Sequence, residues 1–157
     1  MADDLTKPQS LYDTDYLAWI EQQAAALRAR GGGANALDYD NLAEEIEDLG
    51  KSEFNACQSF VERIIEHLLK LQFSSEVEPR AHWRGEILAF RDQLQDRLTR
   101  TLENRLREKL PLLFQRQVRQ LHRRELLDDP AAFLAALPDG YGWDQITDPD
   151  WYPESRA

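Results

Sequence analysis

Cysteine and glycine are scarce in this 157-residue chain, and each shortage excludes something. A single cysteine, Cys57, rules out an internal disulfide, a disulfide framework and a cysteine-rich zinc module. Seven glycines rule out collagen-like and flexible low-complexity architectures. There is no alternating run of Val, Ile, Thr and aromatics of the kind that builds strands. No apolar run approaches the roughly 18 residues of a membrane span. The richest stretch, Ile64 to Phe73, is broken by Glu66, His67, Lys70 and Gln72. Basic charge is in deficit: the net charge of −10 argues against a whole-protein nucleic-acid binder. The start, MADDLTKPQS, lacks the basic and apolar regions of a secretory signal. A cytoplasmic, reducing location is therefore expected, and no membrane partner.

What remains is a helix former's composition, rich in Leu, Ala, Glu, Arg and Gln. At this length a real core is attainable without staples. The first predicted helix runs from about Thr14 to Arg30, capped by Asp13 or Thr14, with Asp15 suited to its positive end. Gly31, Gly32 and Gly33 stop it. They lack the Lys-Ser/Thr of a phosphate loop, and no strand precedes them, so they read as a connector. In the second helix Leu42, Ile46, Leu49, Cys57, Phe60, Ile64 and Leu71 recur with a 3.6-residue period. That phase survives Gly50, which predicts one helix over 39–73 with a kink or a close helix contact at the glycine. A third helix is expected over 80–109, with Pro79 at its start. Pro111 then ends it or opens a fourth helix. Asp129-Pro130 marks a short helix over 131–137. Residues 1–12 read as mobile. The tail, 138–157, carries Trp143 and Trp151 and reads as docked, against the first two helices beside Trp19. The expected architecture is all-α: a single-domain, up-and-down helical bundle over 1–157, with two long central helices and short C-terminal ones.

Charge is unevenly placed. Residues 1–78 carry a net −10, residues 79–125 a net +6, and the remainder a net −6. A basic helix pair is thus flanked by acidic segments.

The segments YDTDYLAWIEQQAAALR, LDYDNLAEEIEDLGKSE, HLLKLQF, HWRGEI and WDQITDPDWYP span nearly the whole chain. Together they resemble the bacterial family known as domain of unknown function 29. The most specific element is Asn41 to Glu53, followed by His67 to Lys70. The resemblance implies a small, all-helical, cytoplasmic bacterial protein and no activity, since the family has none assigned.

Few residues invite chemistry. Glu44, Glu45, Glu47 and Asp48 form an acidic cluster, but the Glu-x-x-His pattern of a bundle di-metal site is absent: Ile64 stands three residues before His67. The cluster reads as a solvated face near a helix start. Glu53 and His67 fall on the apolar stripe. In a hairpin about residues 74–79, His67 comes level with Glu86, which shares its helix side with His82 at the i, i+4 spacing. The sharp reading is a metal site on His67, His82 and Glu86, serving a hydrolase or oxidase. The plain reading is a histidine bonded to a carboxylate at a helix interface. Glu53 comes level with Arg97 and Arg100. It is either a catalytic acid or, as expected here, a buried partner of Arg97. Cys57 lies on the stripe as an inert apolar residue. Arg116, Arg119, Arg123 and Arg124 could touch phosphates, which keeps a nucleic-acid-linked regulator open. They read first as a solvated face or one matched to acidic helices. The leading expectation is a non-enzymatic interaction or regulatory protein, without cofactor, forming a homodimer and lacking affinity for duplex DNA.

Overall fold

The computed structural model describes residues 9–30, 37–124, 131, 135–137 and 139–156. The chain is all-α, and among the described residues there is no strand. Its helices are α1 (Leu11–Thr14), α2 (Tyr16–Arg30), α3 (Tyr39–Phe73), α4 (Arg80–Arg97), α5 (Arg100–Arg123) and α6 (Trp143–Thr147). The glycine connector and the Asp129-Pro130 helix start lie outside the described residues. The chain divides into two compact units, Met1–Ala56 with Thr99–Asn104, and Cys57–Leu98 with Arg105–Ala157.

In the first unit the expected first helix is α2, which starts at Tyr16 and is preceded by the short helix α1. Its N-cap is Asp15, neither Asp13 nor Thr14. One Asp15 oxygen accepts from the Ala18 N–H at 3.1 Å, while the other accepts from the Thr101 N–H at 2.9 Å and hydroxyl at 2.8 Å. Asp13 instead accepts from Ser10 and closes the turn of α1. Helix begins at Leu11, and the first eight residues of the N-terminal stretch lie outside the described ones. The Tyr12 ring meets Tyr16 and Trp19 edge-on at 5.4 and 4.9 Å.

Helix α3 runs unbroken through Gly50, which marks a close contact. A Cβ there would lie 3.1 Å from Ile20 Cγ2 and 3.2 Å from Leu17 Cδ1. The buried side of α3 in this unit is accordingly Tyr39, Ala43 and Gly50, against Leu17, Ile20 and Ala24 of α2. The apolar stripe expected to be core is turned outward here: Leu42 is 40% and Leu49 44% exposed. Small residues win the interface because they let two helix backbones approach closely.

In the second unit the stripe goes inside. Cys57, Ile64 and Leu71 are fully buried, joined by Val61, Ile65, Leu68 and Leu69. The expected third helix is interrupted at Leu98, where the backbone is extended (φ −68°, ψ 119°). Thr99 then opens α5, its hydroxyl accepting from the Leu102 N–H at 3.3 Å. Pro111 sits inside α5 and does not end it. The apolar face Leu106, Leu110, Leu113, Phe114, Val118 and Leu121 continues across the proline and is buried throughout. Its burial outweighs the roughly 3 kcal/mol that an interior proline costs. Arg80 of α4 caps the end of α3, donating to the Leu71 and Ser74 carbonyls, where positive charge suits the helix dipole.

The tail is held within this second unit by α3 and α4. Arg91 of α4 is 3% exposed and donates to the carbonyls of Ile146 at 2.9 Å and Gln145 at 2.8 Å. Tyr141 donates to Gln72 Oε1 at 2.7 Å, and the Arg156 N–H to the Gln72 carbonyl at 2.7 Å. The guanidiniums of Arg107 and Arg84 lie over the rings of Trp143 and Tyr152, at 5.8 and 4.9 Å. The chain enters this region through Gly140, at φ +70°, with Phe114 packed so tightly that a Cβ would sit 2.7 Å from its ring. The Gly140→Ala variant is expected to lose about 1–3 kcal/mol from left-handed strain and overpacking. Chemical denaturation checks this, and an unchanged midpoint would contradict it.

Candidate functional site

Helix α3 places His67 and helix α4 places His82 and Glu86, one turn apart, within reach of each other. His67 is 5% exposed. Its Nδ1 lies 2.8 Å from the Arg63 carbonyl, so Nδ1 carries the proton and donates. Its Nε2 faces Glu86 Oε2 at 3.4 Å, while the exposed His82 approaches Oε1 with its own Nε2 at 3.7 Å. Burial pushes the His67 imidazole below its usual pKa, and Lys70 adds to that against the raising pull of the Arg63 carbonyl, Glu66 and Glu86. The neutral ring therefore dominates at pH 7, with a lone pair rather than a proton toward Glu86. Among the described residues, no group of three or more His, Cys, Asp or Glu side chains is placed to hold a metal ion. Glu86 reaches each histidine with a different oxygen. The three residues meet as a carboxylate between two imidazoles, without a common point for a cation.

Next to His67 on α3 stands a group that sequence patterning does not single out. Glu66 is buried, and its carboxylate takes Lys70 at 2.7 Å, Arg63 at 3.2 Å and Arg124 at 3.2 Å. Burial alone would raise its pKa. The hydrogen bond and charge of Lys70, with His67 and Arg63, more than offset this and hold it below the usual carboxylate range. Glu62 accepts from Arg116 at 2.8 Å, and Gln58 from Lys109 at 2.7 Å. The second unit thus joins α3 to α5 through charged and amide side chains beside its apolar core. Two signals for this are present in the chain: the i, i+4 spacing of Glu66 and Lys70, and a carboxylate inside the most apolar run.

The other candidates are less central. Glu53, expected to be buried, is half-buried, between exposed Leu49 and buried Cys57. Arg97 is exposed, its guanidinium 5.9 Å from the centroid of the Phe60 ring. In the acidic cluster Glu44, Glu45 and Asp48 are exposed, Glu47 pairs with Arg28, and Asp48 pairs with Lys51 at 2.7 Å. Cys57 is buried and forms no disulfide.

Fold and site together define an all-helical protein in which a buried carboxylate, Glu66, is ion-paired beside the apolar core. The chain belongs to the family described as "Domain of unknown function DUF29", whose model matches residues 11–152. It is also similar to a solved crystal structure from Rhodospirillum rubrum, described as an alpha-helical protein of unknown function. The two share 26% sequence identity and a TM-score of 0.68, over 90% of this chain and 92% of the other. No curated protein matches the chain. No helix among the described residues is long and apolar enough to cross a membrane.

Proposed function

We propose that the protein is a cytoplasmic, non-enzymatic interaction module that works as a homodimer. The observation behind this reading is the outward-facing Leu42 and Leu49 of α3, seven residues apart with half-buried Ile46 between them. Seven residues is two helical turns, so these side chains share one face, the kind of patch that marks a partner surface. The occupant is a second copy. The patch is rimmed by exposed Glu45 and Asp48, while residues 79–125 carry a net +6. A two-fold dimer, the commonest oligomer, makes such an acidic-to-basic match twice. Complementary charge of this kind speeds and orients association, and salt screens it beyond about 10 Å at 0.1 M. The same surplus of negative charge disfavours duplex DNA as a ligand.

Sedimentation across a concentration series is expected to show a dimer that weakens with salt. The Leu42→Lys, Leu49→Lys double variant is expected to raise the dissociation constant by about tenfold or more, with little change in thermal stability because both sites are exposed. A strictly monomeric mass at high concentration and low salt contradicts the reading.

A further inference from the structure

We propose that the cleft between α3 and α5 in the second unit is a binding site for a small phosphate-bearing anion. The cleft encloses about 380 Å³ and is lined by Ser59, Arg63, Arg116, Gln117, Gln120 and Arg124, with Glu62 and Glu66 at its walls. That volume falls within the range of small-molecule sites, roughly 300–1,000 Å³. Every one of these side chains is polar, which selects a polar occupant.

The sign of the occupant follows from how the charges are used. Both carboxylates are already engaged: Glu66 by Lys70, Arg63 and Arg124, and Glu62 by Arg116. The guanidiniums are not exhausted. Each carries five N–H donors, and Arg63, Arg116 and Arg124 each give one to a carboxylate here. The lining holds three cations against two anions, and Lys70 adds a fourth cation at Glu66. This surplus of positive charge favours an anion over a further cation. A phosphate oxygen pair matches the spare edge of a guanidinium, whose fork geometry suits bidentate phosphate binding. The carboxylates then act as braces that fix the direction of the arginines.

A second and independent observation points to the same place. Gln117 is 5% exposed and lines the cleft, and its amide is not among the side-chain atoms that are buried without a partner, so the polar end of an otherwise buried residue is kept for the cleft. A leucine at this position would continue the buried face of Leu113, Phe114, Val118 and Leu121. The amide serves packing poorly and serves a ligand well, offering a donor to a phosphate oxygen and an acceptor to a hydroxyl.

The test uses the full-length protein and pyrophosphate, titrated by calorimetry at low ionic strength. One saturable site is expected. Gln117→Leu is expected to weaken binding by about tenfold or more while leaving the melting temperature unchanged or higher, a pairing that a purely structural glutamine would not produce. Arg116→Gln is expected to weaken binding to a similar extent. Arg119→Gln removes the same charge from an exposed position of α5 outside the lining, and is expected to change binding by less than about twofold. The proposal is overturned if there is no saturable binding. It is equally overturned if Gln117→Leu binds as the parent does, or if Arg119→Gln loses as much as Arg116→Gln, which would mean diffuse attraction to a basic helix.

Discussion

The Arg91→Ala variant is expected to lose about 3 kcal/mol of stability and to release the C-terminal tail. Arg91 reaches from α4 to two successive carbonyls, those of Gln145 and Ile146, across more than fifty residues of sequence. Hydrogen bonds from a charged donor are worth roughly 1.5–3 kcal/mol each. Against that stands the cost of burying a guanidinium whose Nη1 has no partner among the described residues. The two bonds win because removing the arginine also leaves two carbonyls without a donor beside fully buried Ile146. For a chain of this size the expected fall in melting temperature is about 6–12 °C. Arg91→Lys should recover little, since an ammonium cannot span both carbonyls as the guanidinium fork does. Hydrogen exchange of the amides from 141 to 156 reads the tail directly. Unchanged protection there, with a melting temperature within about 2 °C of the parent, would refute the argument.

Much of the architecture is legible in the sequence because helical spacing and breakers are local. The span of α3, 39–73, follows from the period of its apolar residues, and the end of α2 at Arg30 from the glycines beyond it. The departures share a cause: each depends on a partner distant in sequence. The break at Leu98 is fixed by Thr99 as a cap and by Asp15, which bonds Thr101 from 86 residues away. Pro111 reads locally as a stop, yet the buried face on both sides of it carries α5 through. The outward turn of Leu42 and Leu49 depends on α2 choosing the small-residue side of α3 at Gly50. Periodicity ranks hydrophobicity, and a close helix crossing ranks size.

The candidate site shows the same division. The meeting of His67 with Glu86 follows from a hairpin argument, and the i, i+4 relation of His82 to Glu86 from helix geometry alone. Glu66 stays hidden because a single carboxylate in an apolar run looks like an interruption until its cations are seen. One of these, Arg124, comes from beyond the end of another helix. The charge blocks are plain in the sequence, yet the basic stretch meets the acidic tail in a way that charge alone does not suggest. Arg84, Arg91 and Arg107 engage its aromatic rings and carbonyls. Arginine suits this role because a planar guanidinium stacks on rings and forks to carbonyls, which a count of charges does not register.

Asp15→Ala is expected to cost about 2–4 kcal/mol, and the loss should vanish in acid. The carboxylate performs two tasks in the first unit. It caps α2 at the Ala18 N–H, a role worth typically about 1 kcal/mol. It also accepts both the backbone N–H and the hydroxyl of Thr101 at the start of α5, where negative charge complements the helix dipole. Burial by itself would raise the pKa of Asp15, but the bonds from Thr101 and Ala18 more than offset that and hold the carboxyl below its usual value. A group whose folded pKa is depressed binds fewer protons when folded than when unfolded. Its contribution is therefore fully present above the unfolded pKa, about 3.9, and is lost as pH falls through the folded value. Denaturation of the parent and the Asp15→Asn variant across pH 7 to 2 isolates the charge, because asparagine retains a capping oxygen. The stability gap is expected to be constant from pH 7 to about 5 and to close progressively below about 4. A gap that persists unchanged at pH 2 would show that packing around the side chain, and not its ionised form, joins α2 to the first turn of α5.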